Sequence, residues 1–226
     1  MKKLSGLLEF MYTDESRYVD EIDRLQTDAH SVQLLPENAC EKGGWIYLPA
    51  VAGSGDWNLA RLVGSAAEAL ACEKLLPHEE MTLLVPDEAV GLFAGKFRQQ
   101  PALHYYLADF ADCLSPRADL KLPEGFDIEE RPGDGLYMFF DGQMQGYVKI
   151  IRNTRNFSEV YIELRPAIRG RNLAPAILAR ASAMLKKQQK IMTYVVADDN
   201  APSLATAKRA GLHHIFSLHR FLREIC

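Results

Sequence analysis

Cysteine is scarce and scattered: Cys40, Cys72, Cys113 and Cys226 form no CxxC pair, and no histidine stands at metal-ligand spacing from them. That pattern argues against a disulfide framework and a zinc site, so no metal is expected and the thiols read as reduced packing residues. Long hydrophobic runs are also missing. The opening Met1-Lys2-Lys3-Leu4 is followed within a few residues by Glu9, so neither a signal peptide nor a membrane span is read, and the expected compartment is cytoplasmic. Excess positive charge is absent as well. The 226 residues carry a formal net charge of −4, which argues against general nucleic-acid binding, because such binding neutralises many phosphates with Lys and Arg.

What is present is the composition of a folded chain: 48% of residues are hydrophobic and 25% charged, enough to bury a sizeable core. The length suits either one enlarged domain or two small lobes. Charge is unevenly spread. Between Leu164 and Ala197 stand Arg165, Arg169, Arg171, Arg180, Lys186, Lys187 and Lys190, without one Asp or Glu. An anionic ligand is the natural partner of such a stretch.

Periodicity gives the elements. Tyr18, Val19, Ile22 and Leu25 fall at helical spacing over 15–27, and Trp45 to Val51 reads as a strand closing at Gly53-Ser54-Gly55. A helix is expected over 58–76, a buried strand over 81–85 and an amphipathic helix over 89–99, while 103–110 fits helix or strand. The proline-containing stretch from Ser115 to Gly125 suits a connector, which places a boundary near 122. Beyond it, Leu136 to Phe140 and Met144 to Ile151 flank Asp141-Gly142, a strong hairpin signal. Phe157 to Leu164 continues as a strand with Val160, Ile162 and Leu164 on one face and Glu159, Tyr161 and Glu163 on the other. The remainder alternates: loop 165–172, helix 173–188, strand 191–197, helix 201–210, strand 214–222. Pro175 suits the first turn of its helix, and Asn200 is a natural N-cap with Lys208, Arg209 and Gly211 marking the far end.

The stretch Leu164-Arg-Pro-Ala-Ile-Arg169-Gly170-Arg171-Asn172-Leu173-Ala174 takes a strand through a basic, Gly-containing loop directly into a helix. Free N–H groups and the positive end of the helix dipole favour a pyrophosphate there. Arg169-Gly170-Arg171-Asn172-Leu173-Ala174 resembles the acyl-CoA signature of the GNAT superfamily: Arg or Gln, two residues, Gly, one residue, Gly or Ala. Asn172 stands where that family usually has glycine, and asparagine tolerates the left-handed turn better than most residues. Asn200-Ala-Pro-Ser203 followed by Lys208-Arg-Ala-Gly211-Leu212 is similar to the family's second segment, so the resemblance runs over 123–226.

The resemblance implies an α/β (α+β) fold with a GNAT-like mixed, mostly antiparallel central sheet flanked by helices. It implies acetyl-CoA as co-substrate, a small-molecule, amino-acid or protein amine as acceptor, and a pantetheine arm lying between the strands 157–164 and 191–197. The implied cofactor-binding residues are Leu164, Arg165, Pro166, Arg169, Gly170, Arg171, Asn172, Leu173, Ala174, Asn200 and Ser203. A strand carboxylate is the expected base, with Glu159 preferred over Glu163, and a backbone N–H near Leu164 to Pro166 is the expected oxyanion donor. Many family members place a tyrosine acid where this chain has Ala207; Ser203, Tyr194 or a water are the substitutes.

Two rival readings stand beside an active N-acetyltransferase. The departures at Asn172 and Ala207 fit an acyl-CoA-binding regulatory module without chemistry. An RNA-binding role for the basic stretch is disfavoured by net charge and by the lack of aromatic stacking residues among the arginines. Residues 1–122 form an N-terminal α/β lobe with two readings: a degenerate GNAT-like half that shapes the acceptor cleft, or, narrowly preferred on caution, an unrelated lobe. No nucleic-acid or membrane partner is expected. Oligomeric state stays open, a homodimer among the options.

Overall fold

A computed structural model describes residues 2–28, 32–50, 57–108 and 122–225. The contacts divide the chain into two compact units, Met1–Leu103 with Ser217–Cys226, and His104–Phe216. The division expected near 122 follows sequence order, whereas the observed units do not: from Ser217 the chain returns to the first unit. The expected turn at 53–55, the connector over 115–121, Cys113 and Cys226 lie outside the described residues.

In the first unit, the helices α1 (Lys2–Tyr12), α2 (Val19–Thr27) and α3 (Ala39–Lys42) accompany the strands β1 (Gln33–Leu35) and β2 (Gly43–Leu48). Then come β3 (Leu59–Gly64), α4 (Ala66–Ala71), β4 (Met81–Pro86) and the single turn α5 (Val90–Phe93). The strands β1, β2 and β3 pair antiparallel in succession, and β3 pairs parallel with β4 after the α4 crossover. One core gathers Trp45, Leu83, Phe93 and Phe221; another gathers Met11, Ile22, Ile46 and Leu48. Below α2, Arg61 bonds Glu21 at 3.0 Å and lies 4.7 Å from the Tyr18 ring.

Two expected helices fail here. Over 58–76 the apolar spacing reads as helical, yet 59–64 is β3 and only 66–71 is helix. Ala60, Arg61, Leu62 and Val63 are all buried, so the strand is covered on both faces and loses the alternation that marks a half-exposed strand. Gly64, at φ 65°, turns the chain into the Ser65 cap of α4. Likewise, 89–99 forms only the short α5 before β5 (Arg98–Leu107) begins, which also settles 103–107 as strand. The sequence pattern marks none of α1, β1, α3 or the strand over 126–131.

The second unit holds β6 (Phe126–Arg131), β7 (Gly135–Phe140), β8 (Gln143–Asn153), β9 (Phe157–Leu164), α6 (Leu173–Lys187), β10 (Ile191–Ala197) and α7 (Ala201–Arg209). Residues 104–107 of β5 and 213–216 of β11 (His213–Arg223) belong to it as well. Strands β6 to β9 pair antiparallel in succession, and β9 pairs parallel with β10. Asp141 and Gly142, at φ 49° and 71°, close the expected hairpin. The inner face of the sheet packs Leu136, Met138, Val148 and Val160 against Ile177, Leu178, Ala181 and Leu185 of α6. Each unit thus contains antiparallel strands followed by a helical crossover to a parallel strand.

Candidate functional site

The site grows from a strand pair that stops pairing. β9 and β10 are in register only at Phe157/Ile191, Ser158/Met192 and Glu159/Thr193; beyond Glu159 they are no longer matched. On its other edge β9 stays bonded to β8. Arg165 N–H donates to Gln145 C=O at 2.8 Å, which makes the neighbouring Leu164/Gly146 match a pair without mutual hydrogen bonds. Alternation then turns the N–H groups of Leu164 and Ile162 away from β8, toward the side where β10 has departed. The resulting cleft has a volume of about 560 Å³ and is walled by β9 and β10.

The loop after β9 closes one end of this cleft. Gly170 at φ 79° and Asn172 at φ 58° both take the left-handed turn, so asparagine performs the turn that glycine would otherwise make. Asn172 caps α6 by position but makes no side-chain cap bond. Its Oδ1 instead accepts from Arg209 Nη1 at 2.9 Å. Arg169 Nε donates to Leu164 C=O at 2.9 Å, bracing the loop against the end of β9. Arg169, Gly170, Asn172, Leu173, Ala174 and Arg209 all line the cleft. The N–H groups opening α6 therefore face it with two guanidiniums alongside.

On the opposite wall are the groups of α7 and β10. Asn200 caps α7, its side-chain oxygen accepting from Ser203 N–H at 3.2 Å. Burial raises the Tyr194 phenol above its ordinary value, and the neighbouring Ser203 side chain offsets part of that rise. Tyr194 and Ser203 both line the cleft, and Ala207 is fully buried.

The outer face of β9 carries the carboxylates. Tyr147 of β8 lies opposite Glu163 and donates its hydroxyl to Glu163 Oε2 at 2.5 Å. That bond, reinforced by desolvation, pushes the phenol up to about 12. A raised folded value means the bond stabilises the fold fully below pH 10.0, the ordinary tyrosine value, and that this contribution is lost as pH rises through about 12. Ultraviolet absorbance titration should find one tyrosine ionising near pH 12, and Glu163→Gln should return it toward 10.0; unchanged ionisation in the variant would rule out the carboxylate as the cause.

Of the residues singled out from sequence, the structure brings Glu159, Glu163, Leu164, Arg169, Gly170, Asn172, Leu173, Ala174, Asn200 and Ser203 to one cleft. Arg165, Pro166 and Arg171 are exposed and do not belong to its lining. With the Arg165 N–H spent on Gln145 and Pro166 lacking one, Leu164 is the donor left among the three. Arg209 and Tyr147 are not marked as site residues by the sequence, and Tyr161 is marked only as sharing the strand face of the two carboxylates. Arg209 was legible only as a cation in the last turn of its helix.

The site is thus a splayed parallel strand pair with a basic loop and a helix N-terminus at its open end, and the sequence model of the acetyltransferase (GNAT) family matches residues 100–212. The chain belongs to the GNAT acetyltransferase family. Solved GNAT structures share its fold at low identity. A tandem GNAT protein from the clavulanic acid biosynthesis pathway is 13% identical, with 100% of this chain and 95% of that one covered at a TM-score of 0.58. A GCN5-related N-acetyltransferase-like protein from Streptococcus suis is 13% identical, with 93% and 99% covered at 0.58. One from Sphaerobacter thermophilus is 14% identical, with 74% and 73% covered at 0.57. No curated protein matches significantly. Among the described residues no group of side chains is placed to hold a metal, and no helix is long and apolar enough to cross a membrane.

Proposed function

We propose that this GNAT protein transfers an acetyl group from acetyl-CoA to a primary amine of a small molecule, an amino acid or a protein. The observation that carries the reading is the free backbone edge of β9 meeting the N-terminus of α6 in one cleft. The pantetheine amides would extend the sheet along that edge. The pyrophosphate would lie on the α6 N–H groups, with Arg169 and Arg209 beside it.

The chemistry follows from the same placement. The acceptor amine must lose a proton before its lone pair attacks the thioester carbon, and Glu159, where β9 and β10 part, takes it directly or through water. The carbonyl oxygen gathers charge as the C–N bond forms, and the Leu164 N–H supplies a fixed donor. The C–S bond then breaks, and the Tyr194–Ser203 pair returns a proton to the CoA thiolate, since burial keeps the Tyr194 phenol protonated. The test is thioester turnover against a panel of amines. Acetylated product with release of free thiol is expected; tight CoA binding without transfer to any amine would favour a regulatory binding module instead.

A further inference from the structure

We infer that the acceptor is a linear dication: one nitrogen reacts at Glu159 while a second, retained as ammonium, is held by Glu163 and Tyr161, with Tyr147 fixing the carboxylate. This deepens the acyltransferase reading and rests on it for the role of Glu159.

Glu159, Tyr161 and Glu163 alternate along the outer face of β9, and all three line the cleft. Four residues of strand separate the two carboxylates at their backbone by about 13 Å, with Tyr161 midway. Tyr161 is 48% exposed, and its ring belongs to a ladder crossing three strands. Tyr147 stands 6.3 Å from Tyr161, and Tyr137 stands 6.2 Å from Tyr147. The protein already places its own cations on two of these rings: Arg131 lies 4.1 Å from the Tyr137 centroid and Lys149 Nζ 5.5 Å from that of Tyr147. Among the described residues no cation covers Tyr161, the one ring of the three that lines the cleft. An ammonium or a chain of methylenes laid across it would gain the same attraction.

Glu163 is prepared to hold a charge. The Tyr147 hydroxyl fixes Oε2, and Oε1 remains to accept from an ammonium in a charge-assisted bond. The rest of the cleft sorts the two substrates. Arg169 and Arg209 line the loop end, which attracts phosphates and repels an ammonium, while the carboxylates lie on the strand face. Beside Glu159, the Thr193 hydroxyl is buried without a hydrogen-bond partner among the described residues and shares its register position, a polar group suited to a water passing the reacting proton to the carboxylate. Only the nitrogen at Glu159 gives up its proton and forms the amide. The distal ammonium is unchanged, so the product carries one acetyl group and has lost one of the two charges the site reads.

Diaminooctane and octylamine have the same carbon chain and differ in the second ammonium. Titrated calorimetrically into the full chain, diaminooctane should bind about tenfold more tightly, and Glu163→Gln should collapse that ratio toward one. Tyr161→Leu, a second variant that removes the ring but no charge, should weaken diaminooctane by about threefold or more. With acetyl-CoA present, mass spectrometry should show the mono-acetylated diamine accumulating. Equal binding of the two amines by the wild-type protein, or a preference that survives Glu163→Gln, would overturn the inference with the acyltransferase reading intact. A diamine preference in a protein that does not bind acetyl-CoA would instead sink the acyltransferase reading and the acceptor role built on it.

Discussion

Glu159→Gln is expected to slow acetyl transfer by about a hundredfold to ten-thousandfold at neutral pH, the usual worth of a positioned general base. The substitution keeps the size of the side chain and removes its capacity to take a proton. Alkyl amines titrate near 10.4, as lysine does, so at neutral pH almost every acceptor arrives protonated. Without the base, turnover must draw on the small free-amine fraction, which grows about tenfold per pH unit below that value. The deficit should therefore shrink steadily as pH rises toward 10. Steady-state rates of the variant and the wild type across that range check the sign: a deficit constant with pH would mean that Glu159 has a structural role.

Arg169→Ala should raise the KM for acetyl-CoA more than any other single arginine change. Its guanidinium lines the cleft, and its Nε holds the Leu164 carbonyl at 2.9 Å, so the variant loses a charge and the brace between loop and strand. Charged hydrogen bonds contribute about 2 kcal/mol each, close to a thirtyfold loss of affinity. Arg171, exposed and outside the lining, has only a screened long-range attraction to offer, and Arg171→Ala should cost no more than about threefold. Steady-state KM values for the two variants separate these roles. Equal effects would mean that the loop acts as a diffuse basic patch.

The second unit was largely legible because its signals agree. β9 runs over the residues that alternation marked and β10 over the strand expected at 191–197, and Asn200 caps α7 as its side chain suggests. Asn172 takes the left-handed turn its type permits. The first unit was less legible for a physical reason: β3 is buried on both faces, so Leu59, Leu62 and Val63 carry no alternation and fit a helical spacing by coincidence. In the site, the strand carboxylates and the loop were readable as neighbours in sequence. The partners that complete them were not. Tyr147 reaches Glu163 only through the register of β8 on β9, and Arg209 reaches Asn172 across 37 residues because α7 ends beside the loop. Such meetings depend on tertiary placement, and no local pattern encodes them.

The central claim is that the cleft between β9 and β10 is an acetyl-CoA site, and calorimetric titration of acetyl-CoA into the wild-type protein, with Arg169→Ala alongside, tests it most directly. Saturable binding in the micromolar range that weakens in the variant is the predicted result; no binding by the wild-type protein, or equal binding by both, would contradict the account.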